Sequence, residues 1–265
     1  MMNHAGDGLD TASIEHRLRG LGVRIGLPVH VAAETGSTNE DAMRAGEQGA
    51  PHGALFLADG QRAGRGRLGR TWYSPRGQNL YMSLLLRPVS DVRNVASITI
   101  VAGLAVAQAV QRFLPTGAAR IKWPNDVLVG SKKLAGILVE ASTTQARVDH
   151  VVVGIGINVR QTEFDPEIAT IATSMAREAQ VAPSRLDVLA AVVERLGVHL
   201  DTFERDGLRP ILEAVRELDV LRGKTVRVHD VEGEANGIDE SGRLLVKTAS
   251  GAVVPIHAGE VKLVW

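Results

Sequence analysis

From Asn94 to Gln111 the chain runs through eighteen residues, NVASITIVAGLAVAQAVQ, without a charge. A helix that is apolar on every side must be covered all round, by other elements or by lipid. The Ser, Thr, Gly and Gln in this run make it too polar for lipid, so a helix buried in a soluble core is expected. At 265 residues, 45% of them apolar, the chain can bury such a core in one large domain with room for a small second one.

Thirty Lys and Arg balance thirty Asp and Glu, so no global excess of charge argues for nucleic acid or for a solvating acidic tail. The absence of cysteine excludes disulfides, thiolate metal sites and thiol nucleophiles, and makes a reducing cytoplasm the expected location. The N-terminus has no apolar stretch of the secretory kind, which leaves no expectation of membrane contact.

Residues 1–27 read as a short arm with one amphipathic helix around Ser13–Arg19. Gly53–Ala58, Leu80–Leu86 and Val148–Val159 are dense in apolar residues and bounded by turn formers, as buried strands are. Arg93–Leu114 and Ser184–Glu204 have helical length and period. The expected class over residues 28–218 is α+β, a mixed, largely antiparallel sheet with its helices on one side. In residues 219–265, short alternating runs at Thr225–His229, Arg243–Lys247 and Val253–Ile256 are separated by turn-like clusters at Glu232–Gly237, Asp239–Gly242 and Ala249–Gly251, which predicts a small antiparallel β barrel.

Four Arg and three Gly fall between Arg62 and Arg70. Glycine lets the main chain approach a ligand closely, and guanidinium forks match phosphate or carboxylate, so the segment suits a loop ordered around an anion, or a basic loop that touches RNA. Gly36-Ser37-Thr38-Asn39-Glu40 has the form of a capping box, either a plain helix start or one that also offers hydroxyls to a polar ligand. Lys122-Trp123-Pro124-Asn125-Asp126 predicts strand, turn, strand, with a hairpin about Gly130-Ser131 leading into a strand from Lys133 to Glu140. Lys122 and Lys133 would then be neighbours, and two clustered ammonium groups call for an anion between them. Gly154-Ile155-Gly156-Ile157-Asn158 lacks the third glycine and the following helix of a dinucleotide fingerprint, which is therefore rejected.

In this order, Ser37-Thr38-Asn39, Gln61 with Gly64 to Arg70, Lys122 to Asp126, Lys133 to Leu138 with Glu140, and Gly154 to Asn158 resemble the biotin–protein ligases. The resemblance spans residues 28–265 and implies a class II synthetase and lipoate-ligase-like catalytic domain followed by an SH3-like barrel. It implies ATP-dependent formation of biotinyl-5′-AMP with Mg²⁺, then transfer of biotin to a lysine of a biotin carboxyl carrier domain. Lys133, Arg67 and Lys122 take the catalytic positions. Ser37, Thr38, Asn39, Gln61, Arg65, Gly66, Arg67, Lys133 and Gly136 would bind biotin, whose tail would lie along Leu134 and Ile137. Arg65, Arg67, Arg70, Lys122, Trp123, Asn125 and Asn158 would bind ATP or the adenylate, and Asp126 the metal. The arm is too short for the winged helix of repressor relatives, which implies a monofunctional ligase without DNA binding. The rival readings are a lipoate–protein ligase and a sensor that binds without transfer.

Overall fold

The computed structural model describes residues 9–87, 95–144 and 147–264. The catalytic-side elements are α1 (Thr11–Arg19), β1 (Val29–Ala32), α2 (Thr38–Glu47), β2 (Leu55–Ala58), β3 (Leu80–Leu86), α3 (Val95–Gln111), β4 (Ala119–Lys122), β5 (Asp126–Val129), β6 (Lys132–Thr144), β7 (Arg147–Ile157), α4 (Met175–Glu178), α5 (Arg185–Asp206) and α6 (Leu212–Leu218). The seven strands form one sheet in the order β1-β2-β3-β7-β6-β5-β4. Only β1 and β2 run parallel.

Strand alternation sorts the side chains into two layers. Leu55, Leu57, Leu84, Leu86, Val151 and Val153 face the main core, shared with α3 and α5. Phe56, Leu85 and Val152 face the other way, against Ala42 of α2. Helices therefore cover both faces, which corrects the one-sided arrangement expected from the sequence. The α2 contact rests on small residues, Ala42 and Gly46, so its sequence carries little apolar stripe to announce burial. The uncharged run behaves as expected: α3 is buried on residues all around its circumference, from Ile98 and Ile100 to Ala109 and Val110. Among the described residues no helix is long and apolar enough to cross a membrane. In the arm, α1 docks on α5, and its Ile14 and Leu18 belong to the main core.

One irregularity decides where the chemistry sits. Along β5 and β6, Val127 pairs with Ala135 but Leu128 pairs with Lys133, so β6 carries an extra residue. Leu134 and Ala135, consecutive in sequence, both bury into the main core on the α3 side. Such a bulge shifts the alternation by one and re-aims the side chains beyond it. Lys133 is thereby turned to the face that Gly136 also presents.

The C-terminal part is a five-stranded antiparallel sheet in the order β11-β10-β9-β8-β12, built from β8 (Thr225–Val228), β9 (Val231–Ile238), β10 (Leu244–Lys247), β11 (Val253–Ile256) and β12 (Lys262–Leu263). The turn expected at Glu232–Gly237 is instead most of β9. Its alternation is present but runs between polar residues and the small Gly233, Ala235 and Gly237, which reads as a turn. Gly233 serves a close approach, because a Cβ there would lie 2.2 Å from the Lys247 carbonyl oxygen.

This sheet shares the main core through Leu221, Val226, Leu244 and Val246. Main chain also meets main chain at the seam: Val220 N–H donates to Ile121 O at 3.0 Å, and Gly242, at φ 76°, abuts the backbone of Ala96 and Ser97. Trp123, 1% exposed, donates its Nε1–H across the seam to Gly242 O at 2.9 Å. Trp123→Phe leaves that carbonyl unpaired and is expected to lower stability by about 1–3 kcal/mol, read as a shift in the urea unfolding midpoint.

Candidate active site

Beyond the start of α2, the face of β6 and β7 opposite the main core is nearly bare. The residues it presents there are Gly136, Leu138, Gly154 and Gly156, and they floor a cavity open to solvent. The glycines are needed for room. A Cβ on Gly154 would lie 2.0 Å from Asn39 Oδ1, and one on Gly156 2.5 Å from the Trp72 indole. The Gly-Ile-Gly-Ile run is thus a strand whose isoleucines enter the core and whose glycines admit a polar side chain and an indole. No helix follows it before Met175, in keeping with the rejected dinucleotide reading.

One end of the cavity is polar and uncharged. Ser37 stands at the N-cap of α2, but its side chain makes no capping hydrogen bond, which corrects the expected capping box. Gln61 fills that role from a different segment: its Oε1 accepts from Thr38 N–H at 2.9 Å, while Glu40 turns toward Arg65, 3.7 Å from its Nε. Gln61 Nε2 donates to Ser74 Oγ at 2.9 Å, and Ser83 Oγ lies 2.8 Å from Thr38 Oγ1. Trp72 lies along the floor, with its Nε1–H buried and without an acceptor.

The other end is cationic, and each cation has a partner within the protein. Lys133 Nζ is 2.6 Å from Asp126 Oδ1, an ion pair without hydrogen-bond geometry, and 5.4 Å from the Trp72 ring centre. Arg67 donates to Asn125 Oδ1 at 3.0 Å. Half-burial lowers the Arg67 pKa, opposed by the negative charge of Asp126. Arg65 donates to Glu140 at 2.8 Å, and Arg70 to Glu260 of the C-terminal sheet at 2.6 Å. The segment carrying these arginines is closed at its base. Gly77 N–H donates to Asp59 O at 3.2 Å, and the Asp59 carboxylate is 2.7 Å from the buried Arg185 and 3.6 Å from Arg76.

Ser37, Thr38, Asn39, Gln61, Arg65, Gly66, Arg67, Asn125, Lys133 and Gly136 all line the cavity. Other expected residues are placed elsewhere. Lys122 pairs in register with Asp126, and its charge bears on Glu260 at the outer side, while Asp126 is the anion that Lys133 meets. Arg70 borders the outer cleft. Trp123 is buried in the seam, so its ring cannot stack on a base. Asn158, 6% exposed, donates its side-chain amide to Thr173 O at 2.9 Å and braces the chain leading to α4. Leu134 packs on the α3 side because of the bulge, and so cannot line the cavity as expected. Trp72, Tyr81 and Ser83 were not singled out from sequence. Their one signal was position: Trp72 closes the Gly-Arg segment, and Tyr81 and Ser83 alternate on a strand already recognised.

Among the described residues no three His, Asp or Glu side chains group as a metal site. Magnesium carried by phosphate oxygens needs only one or two carboxylates, and Asp126 fits as such a ligand once it exchanges Lys133 for the ion.

Residues 32–158 match the biotin/lipoate A/B protein ligase family, and residues 223–264 the biotin protein ligase C-terminal domain. The chain is 34% identical over 264 residues to the biotin–[acetyl-CoA-carboxylase] ligase of Mycobacterium tuberculosis, covering 96% of this chain and 95% of that one. It is 34% identical over 258 residues to the bifunctional ligase/repressor BirA of Bacillus subtilis, covering 91% and 78%. The solved biotin protein ligase from Aquifex aeolicus, in complex with biotin and ATP, aligns with a TM-score of 0.79 at 32% identity over 90% of this chain and 99% of that one.

Gly156→Ala places a methyl group inside the Trp72 ring and should expel the indole from the floor. With Trp123 and Trp265 replaced by Phe, leaving Trp72 as the reporter, the variant should show red-shifted emission and stronger acrylamide quenching. Unchanged emission would show that the floor tolerates a side chain.

Proposed function

The chain belongs to the biotin–protein ligases of the biotin/lipoate A/B family, and on that premise we propose that it activates biotin with ATP and transfers it to a carrier lysine. The observation that carries this reading is the polarity of the cavity, uncharged and hydrogen-bonding at one end and cationic at the other. A bicyclic ureido head on an apolar tail ending in a carboxylate has the same order of groups.

The ureido ring sits against Ser37, Thr38 and Gln61, whose polar atoms match donors and an acceptor that cannot be buried unpaired. Trp72, seated on the glycine floor, offers its ring to the apolar part, and Leu138 flanks the tail. The biotin carboxylate replaces Asp126 as the partner of Lys133. It then attacks the α-phosphorus of ATP, a P–O bond forms, and the bond to pyrophosphate breaks. Two anions are brought together in this step, so fixed cations lower the barrier by being in place beforehand. Arg67 faces the developing charge on the α-phosphate, and Asn125 holds that guanidinium in position. Lys122 and Arg70, on the side nearer Glu260, meet the departing phosphates. Magnesium supplies charge neutralisation on the triphosphate when bound, with Asp126 as its protein ligand.

In the second step the neutral amine of a carrier lysine attacks the acyl carbon, AMP leaves, and an amide forms. Arg65 and Gly66 cover the mixed anhydride and keep water from it. Residues 28–218 form the catalytic unit, and 219–265 meet its arginine segment through the Arg70–Glu260 ion pair. The partners are biotin, ATP and a biotin carboxyl carrier domain. The work is done in the cytoplasm and needs neither DNA nor a membrane.

Pyrophosphate exchange into ATP should depend on biotin, and a carrier domain incubated with enzyme, ATP, Mg²⁺ and biotin should gain one biotinyl group by intact mass. Exchange driven by lipoate and not biotin would reverse the assignment, and binding without transfer would indicate a sensor. Lys133→Ala should reduce adenylate formation by about 100-fold or more with the fold retained, as loss of a positioned charge donor does. Arg67→Gly, or the same change at Arg65, should release free adenylate that labels unrelated lysines.

A further inference from the structure

Glu140 lies outside the cavity lining, at the outer cleft under the arginine segment, and no step above uses it. One of its oxygens nevertheless does two things. Oε2 accepts from Asn39 Nδ2 at 2.7 Å and from Arg65 Nη2 at 2.8 Å. The pair with Arg65 is partly exposed, with side chains 37% and 30% accessible, and such pairs add little stability. The bond to Asn39 is different, because Asn39 is 4% exposed and its orientation matters to the ring end of the cavity.

The Asn39 Nδ2 hydrogens meet two groups that can only accept, Glu140 Oε2 and, at 3.3 Å, the Leu138 carbonyl. That fixes the amide with its Oδ1 toward Ser83 Oγ, 2.6 Å away. Ser83 has one proton and two neighbouring oxygens, Asn39 Oδ1 and Thr38 Oγ1. With Oδ1 facing it, the proton goes to the shorter contact and Thr38 Oγ1 keeps its lone pairs for a ligand N–H. An amide turned the other way would present –NH₂ to Ser83, send the proton to Thr38 and occupy that acceptor.

We infer that Glu140 is a positioning residue that sets the donor and acceptor order of the ring-binding end through Asn39 and Ser83, and at the same time holds Arg65 over the cavity. One carboxylate thus links recognition of the bicyclic head to closure of the covering segment. The inference rests on the proposed function and names what regulates specificity within that same site.

Glu140→Gln tests both halves, since its amide can turn –NH₂ toward Asn39 and carries no charge for Arg65. The expected result is a biotin KM raised about tenfold with kcat changed by less than about twofold, and several-fold more adenylate released free. On an Arg65→Ala background it should add no further leak yet still raise the biotin KM. On a Ser83→Ala background, which removes the proton that a turned Asn39 amide would send to Thr38, Glu140→Gln should raise the biotin KM far less while the leak stays. Wild-type KM and leak in Glu140→Gln, or a biotin KM raised as much with Ser83→Ala present as without it, overturns the inference. A wild-type enzyme that makes no adenylate overturns the proposed function instead, and Glu140 is then judged by direct titration of biotin binding in the same variants.

Discussion

The extra residue on β6 is the constraint on which the site depends. Without the bulge at Leu134 and Ala135, regular alternation would send Lys133 into the packed layer beneath α3, where an ammonium group would be buried at high cost. The core accepts two consecutive apolar side chains there, and in doing so it delivers a lysine to the open face. The glycines at 136, 154 and 156 complete the arrangement by keeping that face low enough for an indole to lie on it. Packing on one side of the sheet and chemistry on the other are thus set by a single register shift.

The zero net charge of the chain has a local counterpart. Lys133 faces Asp126, Arg65 faces Glu140, Arg70 faces Glu260, and Arg67 leans on an amide because Asn125 stands where a carboxylate would bind it more tightly. Ligand anions therefore enter by exchange, taking cations from partners already present. Positions are fixed in advance at little electrostatic strain, and selectivity follows from which exchange a ligand can complete. Arg67, half-buried with a neutral partner, is the cation held least firmly by charge and the one best placed to answer to a phosphate.

Much of this was legible in the sequence because the signals were local. The buried α3, the hairpin through Trp123 and Pro124, the strand Leu80–Leu86 and the arginine segment each follow from composition over a short stretch. The cavity residues Ser37, Thr38, Gln61 and Lys133 came from ordered short motifs. What escaped depended on pairing between distant strands. The bulge is invisible without β5 beside β6, so Leu134 was assigned to the wrong face. Trp123 and Asn158 sit within functional-looking motifs yet serve the seam and the brace to α4, since a motif says which residues travel together and not which way each points. β9 was hidden because glycines that admit a neighbouring strand look like glycines that make a turn.

The seam at Gly242 has a consequence for anyone building hybrids of such chains. Backbone meets backbone there, with the Trp123 indole fastened across it. A C-terminal sheet borrowed from another protein could differ freely on its exposed face and still dock, provided it brings a residue without a side chain to that one spot. Interchangeability of the two halves is thus limited by clearance at one backbone contact as well as by the apolar face the sheet adds to the core.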